Sequence, residues 1–309
     1  MGAPESDTLR GRQPGGPKQT NRQCTPTPPR KTPLVSWSKV RELRSLLIHR
    51  DQSVPLDLAA LQLAQVEFPE LDPTPFLTLL DSHARELQSL TAGSAGPRFV
   101  EAANQYFFET LEFQGNQHEY YHPHNSCLNH VLLNRTGLPI TLSIVYLEIA
   151  RRLQRPVVGI GLPGHFLVRY EEHSYTAWID CFRGREVSFE ECRELALETA
   201  HIDILAIPSA LAPVSNWQIV VRMLNNLRNV YFQNREWTKA RWILDRLVEA
   251  QPGSPLERKQ RGVLRLDAGD EAGALEDFEA FLMLALRSDE DRDEIAAQAA
   301  RLKRSGNRA

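Results

Sequence analysis

The chain has 309 residues, 42% of them hydrophobic, and a formal charge of −3 from 36 basic and 39 acidic side chains. That length leaves room for two modest domains and a tail, with ample apolar material for a core. The near-neutral balance argues against a dedicated nucleic-acid binder, and no apolar run approaches a membrane span. Cys24, Cys127, Cys181 and Cys192 show no framework-like spacing and no signal peptide is visible, so free thiols in a reducing cytoplasm are expected.

Residues 1–33 contain Gly15-Gly16-Pro17, Thr25-Pro26-Thr27-Pro28-Pro29 and six basic residues against two acidic ones. They have no periodic apolar face and read as a disordered tail. From about Leu34 to Gly115 the chain reads as helical. Leu56, Leu58, Leu61, Leu63 and Val66 suit one helix after Pro55, and Asp72-Pro73 opens the next, which carries Phe76, Leu77, Leu80, His83, Leu87 and Leu90. After a loop at 91–97, Phe99, Ala102, Ala103, Tyr106, Phe107, Leu111 and Phe113 form a third apolar face.

Gly137-Leu138-Pro139 makes a good start for a helix running from Ile140 to Leu153, whose apolar positions cover most of its circumference. Val157 to Ile160 looks like the next strand. Leu162 to Tyr170 reads as a turn feeding a strand, and Tyr175 to Asp180 as its partner, with Glu171-Glu172-His173-Ser174 as the loop. Pairing Tyr170 with Tyr175 sets Ala177 opposite Val168 and Asp180 opposite His165. A carboxylate beside an imidazole fixes its tautomer and raises its basicity, which is two-thirds of a nucleophilic triad.

Around these elements stand Phe113-Gln114-Gly115-Asn116, Tyr121, Asn125-Ser126, Leu128-Asn129, Val131-Leu132, Arg135, Gly137, Pro139-Ile140, Leu142-Ser143, Pro163-Gly164-His165-Phe166 and Ile179-Asp180 with Phe182. In these residues the chain resembles the transglutaminase-like (papain-related) superfamily. More narrowly it resembles the SirB-type bacterial family, over about residues 50 to 290. The resemblance implies an α+β core followed by tetratricopeptide repeats, and a regulatory association. In active transglutaminase-like enzymes a Gly-x-Cys opens the central helix, whose N-terminus lowers the thiol pKa. The equivalent tripeptide here is Gly137-Leu138-Pro139, so the nucleophile's place holds a proline. Cys127 is the nearest thiol in sequence, and a small buried residue is the stronger reading of it. Thr141 and Ser143 are hydroxyls set to solvate the pocket or the helix backbone. Asn125, Ser126, Asn129 and Arg135 either line the old cleft or knit its loop to the core. His165 with Asp180 is expected to face the pocket.

His118, His122, His124 and His130 raise a metal reading, but no third ligand or cysteine pair completes it, and neither metal nor cofactor is expected.

A second architecture begins near Asn216. Ala240, Leu244 and Leu247 recur 34 residues on as Ala274, Phe278 and Phe281. Leu224, Leu227 and Tyr231 fill the apolar positions of a preceding helix. This resembles a tetratricopeptide repeat, in which each helix pair leaves an apolar face for its neighbour. The second unit has Arg258 and Arg265 at usually apolar places. Asp267, Asp270, Glu271, Glu276, Asp277 and Glu279 read as a solvated acidic face. The expected division is a tail at 1–33, a helical part plus transglutaminase-like core at 34–212, and two repeats with a capping helix at 213–304.

The function expected is a cytoplasmic binding or regulatory protein with a degenerate cleft, taking a protein, peptide or small-molecule ligand. The alternative is a cysteine-type amide hydrolase or acyl transferase with Cys127 as displaced nucleophile, His165 as base and Asp180 as orienter.

Overall fold

Proline and aspartate signals place the first helices. The structure, a computed structural model, describes residues 40–306 apart from 52 and 208. The predicted tail and Cys24 lie outside these residues. Helix α1 spans Arg41–His49, α2 Leu56–Ala64 and α3 Thr74–Leu90. Pro55 gives α2 its extended entry, and the Asp72 carboxylate accepts the Thr74 amide at 2.9 Å before α3. The third apolar face is not one helix. Helix α4, Pro97–Asn104, passes into a π-helical turn, Gln105–Thr110. The wider turn keeps Tyr106 and Phe107 buried and lets Phe113 stack on Phe107, ring centroids 4.6 Å apart.

The stretch read as helical to Gly115 also ends differently. A short strand, β1 (Gln114–Gly115), pairs in parallel with β2 (Thr136–Gly137), with α5 (Leu128–Asn134) between them. Helix α6, Pro139–Arg152, then starts on its proline as expected and is buried along most of its length. Strands β3 (Val157–Ile160), β4 (Leu167–Glu172), β5 (Tyr175–Asp180) and β6 (Arg185–Val187) form an antiparallel sheet in sequence order. Strand β6 and the helix after it, α7 (Phe189–Ala200), are additional to the expected elements. Ser188 and Glu191 make a capping box at its start, a signal present in the spacing Ser-x-x-Glu.

Five helices complete the described chain: α8 (Asn216–Gln233), α9 (Trp237–Ala250), α10 (Pro255–Asp267), α11 (Glu271–Leu284) and α12 (Arg292–Gly306). Ala240, Leu244 and Leu247 on α9 and Ala274, Phe278 and Phe281 on α11 are each at most 1% exposed, as the 34-residue period requires. The first pair, α8 and α9, shares a single hydrophobic core with α1, α2, α6 and the sheet. Polar links reinforce the junction. Trp217 Nε1 donates to the Leu47 carbonyl at 3.2 Å, and Glu67 accepts from the Tyr231 hydroxyl at 2.7 Å and from Lys239 at 2.9 Å. Helices α11 and α12 close a separate small core around Phe278, Phe281, Ile295 and Leu302.

The arginines of the second unit have a reason. Arg258, Arg261 and Arg265 converge on Asp277, which they reach at 3.1, 2.7 and 2.9 Å. Asp277 is wholly buried and so does not belong to the solvated acidic face. A carboxylate at a core position drew the cations to it, because a buried charge needs partners.

Candidate functional site

The hairpin that carries the candidate site is tighter than the sequence suggested. Glu172 pairs with Tyr175, Tyr170 with Ala177 and Val168 with Ile179, so only His173 and Ser174 form the turn, with φ +57° at His173. The expected register is corrected by two residues. A two-residue shift preserves which face each side chain takes. His165, just before β4, therefore sits diagonal to Asp180 rather than opposite it, and the two still meet. Their Nε2···Oδ1 distance is 3.0 Å.

Gly164 makes this approach workable. Its φ is +71°, and a Cβ there would fall 2.2 Å from the Thr199 hydroxyl on α7. The turn is closed by the His165 amide donating to the Leu162 carbonyl at 3.1 Å. Asp180 Oδ1 also accepts the amides of Phe182 and Arg183, at 2.9 and 3.1 Å. Burial works to raise the Asp180 pKa. The His165 hydrogen bond and charge, with the two amides, outweigh it and hold the carboxyl below its ordinary range. An ionised Asp180 only accepts, so His165 donates from Nε2. Its Nδ1 has no partner among the described residues. The pair is more enclosed than expected: His165 is 7% exposed and Asp180 not at all.

The central helix reaches the pair through backbone contacts. Gly115 in β1 pairs with Gly137 in β2, and its amide donates to the Phe182 carbonyl at 3.2 Å. A Cβ on Gly115 would lie 2.4 Å from the Phe182 ring, so only glycine fits this approach. The Phe182 ring in turn stands edge-on to His165, centroids 6.1 Å apart. Pro139, two residues after Gly137, is buried at the first position of α6.

The remaining expected site residues divide. Asn125 fastens the preceding loop, donating to the carbonyls of Glu119 and Tyr120 at 2.6 and 3.1 Å and accepting from Asn116 at 3.0 Å. Thr141 donates to the Asn125 carbonyl at 2.5 Å, and the hydroxyl of the wholly buried Ser143 has no hydrogen-bond partner among the described residues. Ser126 Oγ and Asn129 Oδ1 are buried without a hydrogen-bond partner. Arg135 does not belong with them. Its guanidinium donates to the Leu111 carbonyl and leans on the Phe113 ring, bracing the π-helical segment. Cys127 is fully buried, its sulfur 3.6 Å from the Pro123 carbonyl. Burial and the nearby Glu67 push its thiol far above the ordinary range. Burial does the same to Cys181, and moves Cys192 up to about 11. None of these surroundings favours a thiolate.

His122, His124 and His130 cluster, the first pair edge-on and the second tilted. His122 and His124 rings lie 4.7 Å apart, His124 and His130 5.0 Å, and His124 Nε2 is 3.7 Å from Glu67. Among the described residues no three His, Cys, Asp or Glu side chains are disposed to hold a metal ion. His118 is exposed.

One residue at the site escaped the sequence reading. Arg222 on α8 donates from Nη2 to the carbonyls of Leu162 and His165, at 3.0 and 2.7 Å, and lies over the Phe166 ring. Its signal was an arginine inside the apolar run Ile219-Val220-Val221-Arg222-Met223-Leu224.

Comparison with known proteins fits this architecture. Residues 75–225 match the transglutaminase-like superfamily and residues 227–302 a tetratricopeptide repeat family. A UPF0162 protein of Xylella fastidiosa (strain Temecula1) is 38% identical over 239 residues, covering 76% of this chain and 85% of that protein. Human F-box only protein 21 is 33% identical over 138 residues, 41% of this chain and 21% of that protein. A crystal structure of menin overlaps loosely, with a TM-score of 0.39, 14% identity, and coverage of 84% of this chain and 73% of that one. A transglutaminase-like domain joined to tetratricopeptide repeats, with close identity over most of a relative's length, places the chain in the UPF0162 (SirB-like) family.

Proposed function

We propose that the protein is a cytoplasmic binding or regulatory protein built on a degenerate transglutaminase-like site. The observation that carries this is Pro139, buried at the head of α6 where active relatives of the superfamily are expected to present their cysteine. The surviving His165–Asp180 pair keeps a correctly fixed imidazole with a free Nδ1, a group able to hold a ligand without attacking it. The repeats supply a second contact for a protein or peptide. A cleft of about 210 Å³ between Phe232, Lys259, Val263 and Ile295 gives that contact a place.

Nothing around Cys127 supports the hydrolase alternative, since a nucleophilic thiol needs access and a lowered pKa. Thiol-probe labelling of the native full chain tests the choice. Cys127 should stay unlabelled at neutral pH and become reactive only in denaturant. Rapid labelling of native Cys127 that is lost in His165→Ala would overturn the binding reading and restore the hydrolase.

A further inference from the structure

Three imidazoles crowd the place where the loop after β1 meets the repeat helices. His122 caps the 3₁₀ turn Pro123–Ser126, His124 belongs to that turn, and His130 comes from α5. Ring centroids separate His122 from His124 by 4.7 Å and His124 from His130 by 5.0 Å, and Phe68 closes on His124 at 4.9 Å. The arrangement favours uncharged rings. His122 Nδ1 accepts the His124 amide at 3.3 Å, so that nitrogen carries no proton. His130 Nδ1 is buried with no hydrogen-bond partner among the described residues, and an imidazolium there would hold an N–H with no acceptor. Two charged rings at the observed spacing repel each other, the more so where water is partly excluded.

The surrounding charges meet one proton and not a second. Glu67, which follows α2, lies 3.7 Å from His124 Nε2. It is already engaged by Lys239 on α9 at 2.9 Å and by the Tyr231 hydroxyl on α8 at 2.7 Å. Glu236 also acts on His124, and it pairs with Lys239 at 2.6 Å. Two acids and one cation therefore face the rings, and the buried Cys127 thiol beside them stays neutral. Burial, and then His122, hold the His124 pKa below the ordinary histidine range against the pull of Glu67. Burial, and then His124 and His122, lower that of His130.

The loop held here leads to the candidate site. Asn125, in the same turn, fastens the Glu119 and Tyr120 carbonyls, and its own carbonyl receives the Leu138 amide and the Thr141 hydroxyl at the head of α6. Tyr120 meets Phe182, ring centroids 6.0 Å apart, and Phe182 meets His165. We propose that His122, His124 and His130 form an acid-sensitive latch, closed while at most one ring is charged, which frees this loop and its Tyr120 when a second proton enters. The open loop binds more protons than the closed one. The latch is therefore firm above the unperturbed histidine value of about 6.5 and weakens as pH falls below it. It needs no ligand and does not depend on the binding role proposed above.

The test follows amide hydrogen exchange in the full-length chain, corrected for the intrinsic effect of pH, with the histidine ring signals recorded alongside by NMR. Between about pH 7.5 and pH 5, protection of the Asn125 and Cys127 amides should fall at least about tenfold while the amides of β4 and β5 keep theirs. His122→Asn retains a capping oxygen that takes up no proton, and His130→Gln removes the ring on α5. Each should shrink the acid loss, and the two together should cancel it. Unchanged protection in the native chain, or a loss that survives in the double variant, overturns the latch. So does a loss that spreads equally to β4 and β5, which is general acid unfolding. Where the double variant does not fold, the native ring signals decide. The loss of protection must track the titration of these three rings, and a loss at a different pH overturns the latch.

Discussion

Helix α6 carries its heaviest electrostatic load away from the candidate site, and Arg152 is the place to perturb it. Arg152, 13% exposed, reaches Asp57 at 2.6 Å, Glu148 at 2.9 Å and Asp81 at 2.6 Å. Asp57 is 1% exposed and Glu148 2%, so Arg152→Ala leaves two buried carboxylates with only Arg151 to answer them. Breaking such a pair typically costs about 3–5 kcal/mol, and Arg151 keeps the loss near the lower end. For a chain of this size that corresponds to a fall in Tm of roughly 6–12 °C. Arg151→Ala removes the same charge from a side chain 55% exposed, and should cost about 1 kcal/mol or less. Urea unfolding of the two variants, followed by circular dichroism, compares them directly. The pH dependence adds a second reading. Burial, and then Asp57, raise the Glu148 pKa. A group whose folded pKa is raised contributes stability below its unfolded value, about 4.3, and loses it as pH rises through the folded value. The Arg152→Ala deficit should therefore narrow from pH 7 to pH 4.5. Equal costs for the two variants, or a loss below about 1 kcal/mol for Arg152→Ala, would refute the reasoning.

Asp277→Ala removes the buried carboxylate shared by three guanidiniums, leaving Arg261 with Asp245 and Arg265 with Asp270 and Glu276, and a loss of roughly 3 kcal/mol is expected. Hydrogen exchange should show α10 to α12 losing protection while α6 keeps it; uniform loss would mean that Asp277 supports the whole chain. Glu191 should titrate at about 2, because the Ser188 amide, Arg185 and the Ser188 hydroxyl all favour its ionised form. Its folded pKa is depressed, so the cap stabilises α7 above the unfolded value and is lost as pH falls towards 2. Carboxyl carbon shifts in an NMR titration check this, and a midpoint near the ordinary glutamate value would show the capping box to be open in solution. Gly115→Ala should displace Phe182 and loosen the His165–Asp180 pair, visible as a changed His165 imidazole signal; an unchanged signal would remove Gly115 from the site's support.

The helices of α2, α3, α6 and the repeats were legible because proline, aspartate and apolar period mark them locally. The His165–Asp180 meeting was legible too, although the register was not. Face parity survives a two-residue error, whereas turn length depends on the φ that His173 adopts, which its side chain does not announce. Asp277 shows the opposite limit. Its place in an acidic run pointed to solvent, and only the arginines on α10, 12 to 19 residues earlier, show that it is buried. Arg222 was unreadable for a related reason. Its partners are backbone carbonyls in a turn nearly sixty residues earlier, and backbone acceptors leave no mark in a sequence. Arg135 looked like a cleft residue because it stands among the motif's polar groups, yet the left-handed turn at φ +58° sends it towards Leu111.

The junction through Glu67, Tyr231 and Lys239 has a consequence for how the chain can be divided. The repeat match begins at residue 227, inside α8, while the buried face of that helix belongs to the same core as α1 and α6. A cut at the family boundary would split a helix and open the core on one side. The natural point of separation lies after α9, at Gln251–Ser254. The described residues before it should melt as one cooperative body. Helices α10 to α12 are held to that body by Leu264 and by the Arg228–Glu257 and Arg261–Asp245 pairs. They can be exchanged for a fusion partner at the cost of those contacts without dismantling the His165 loop.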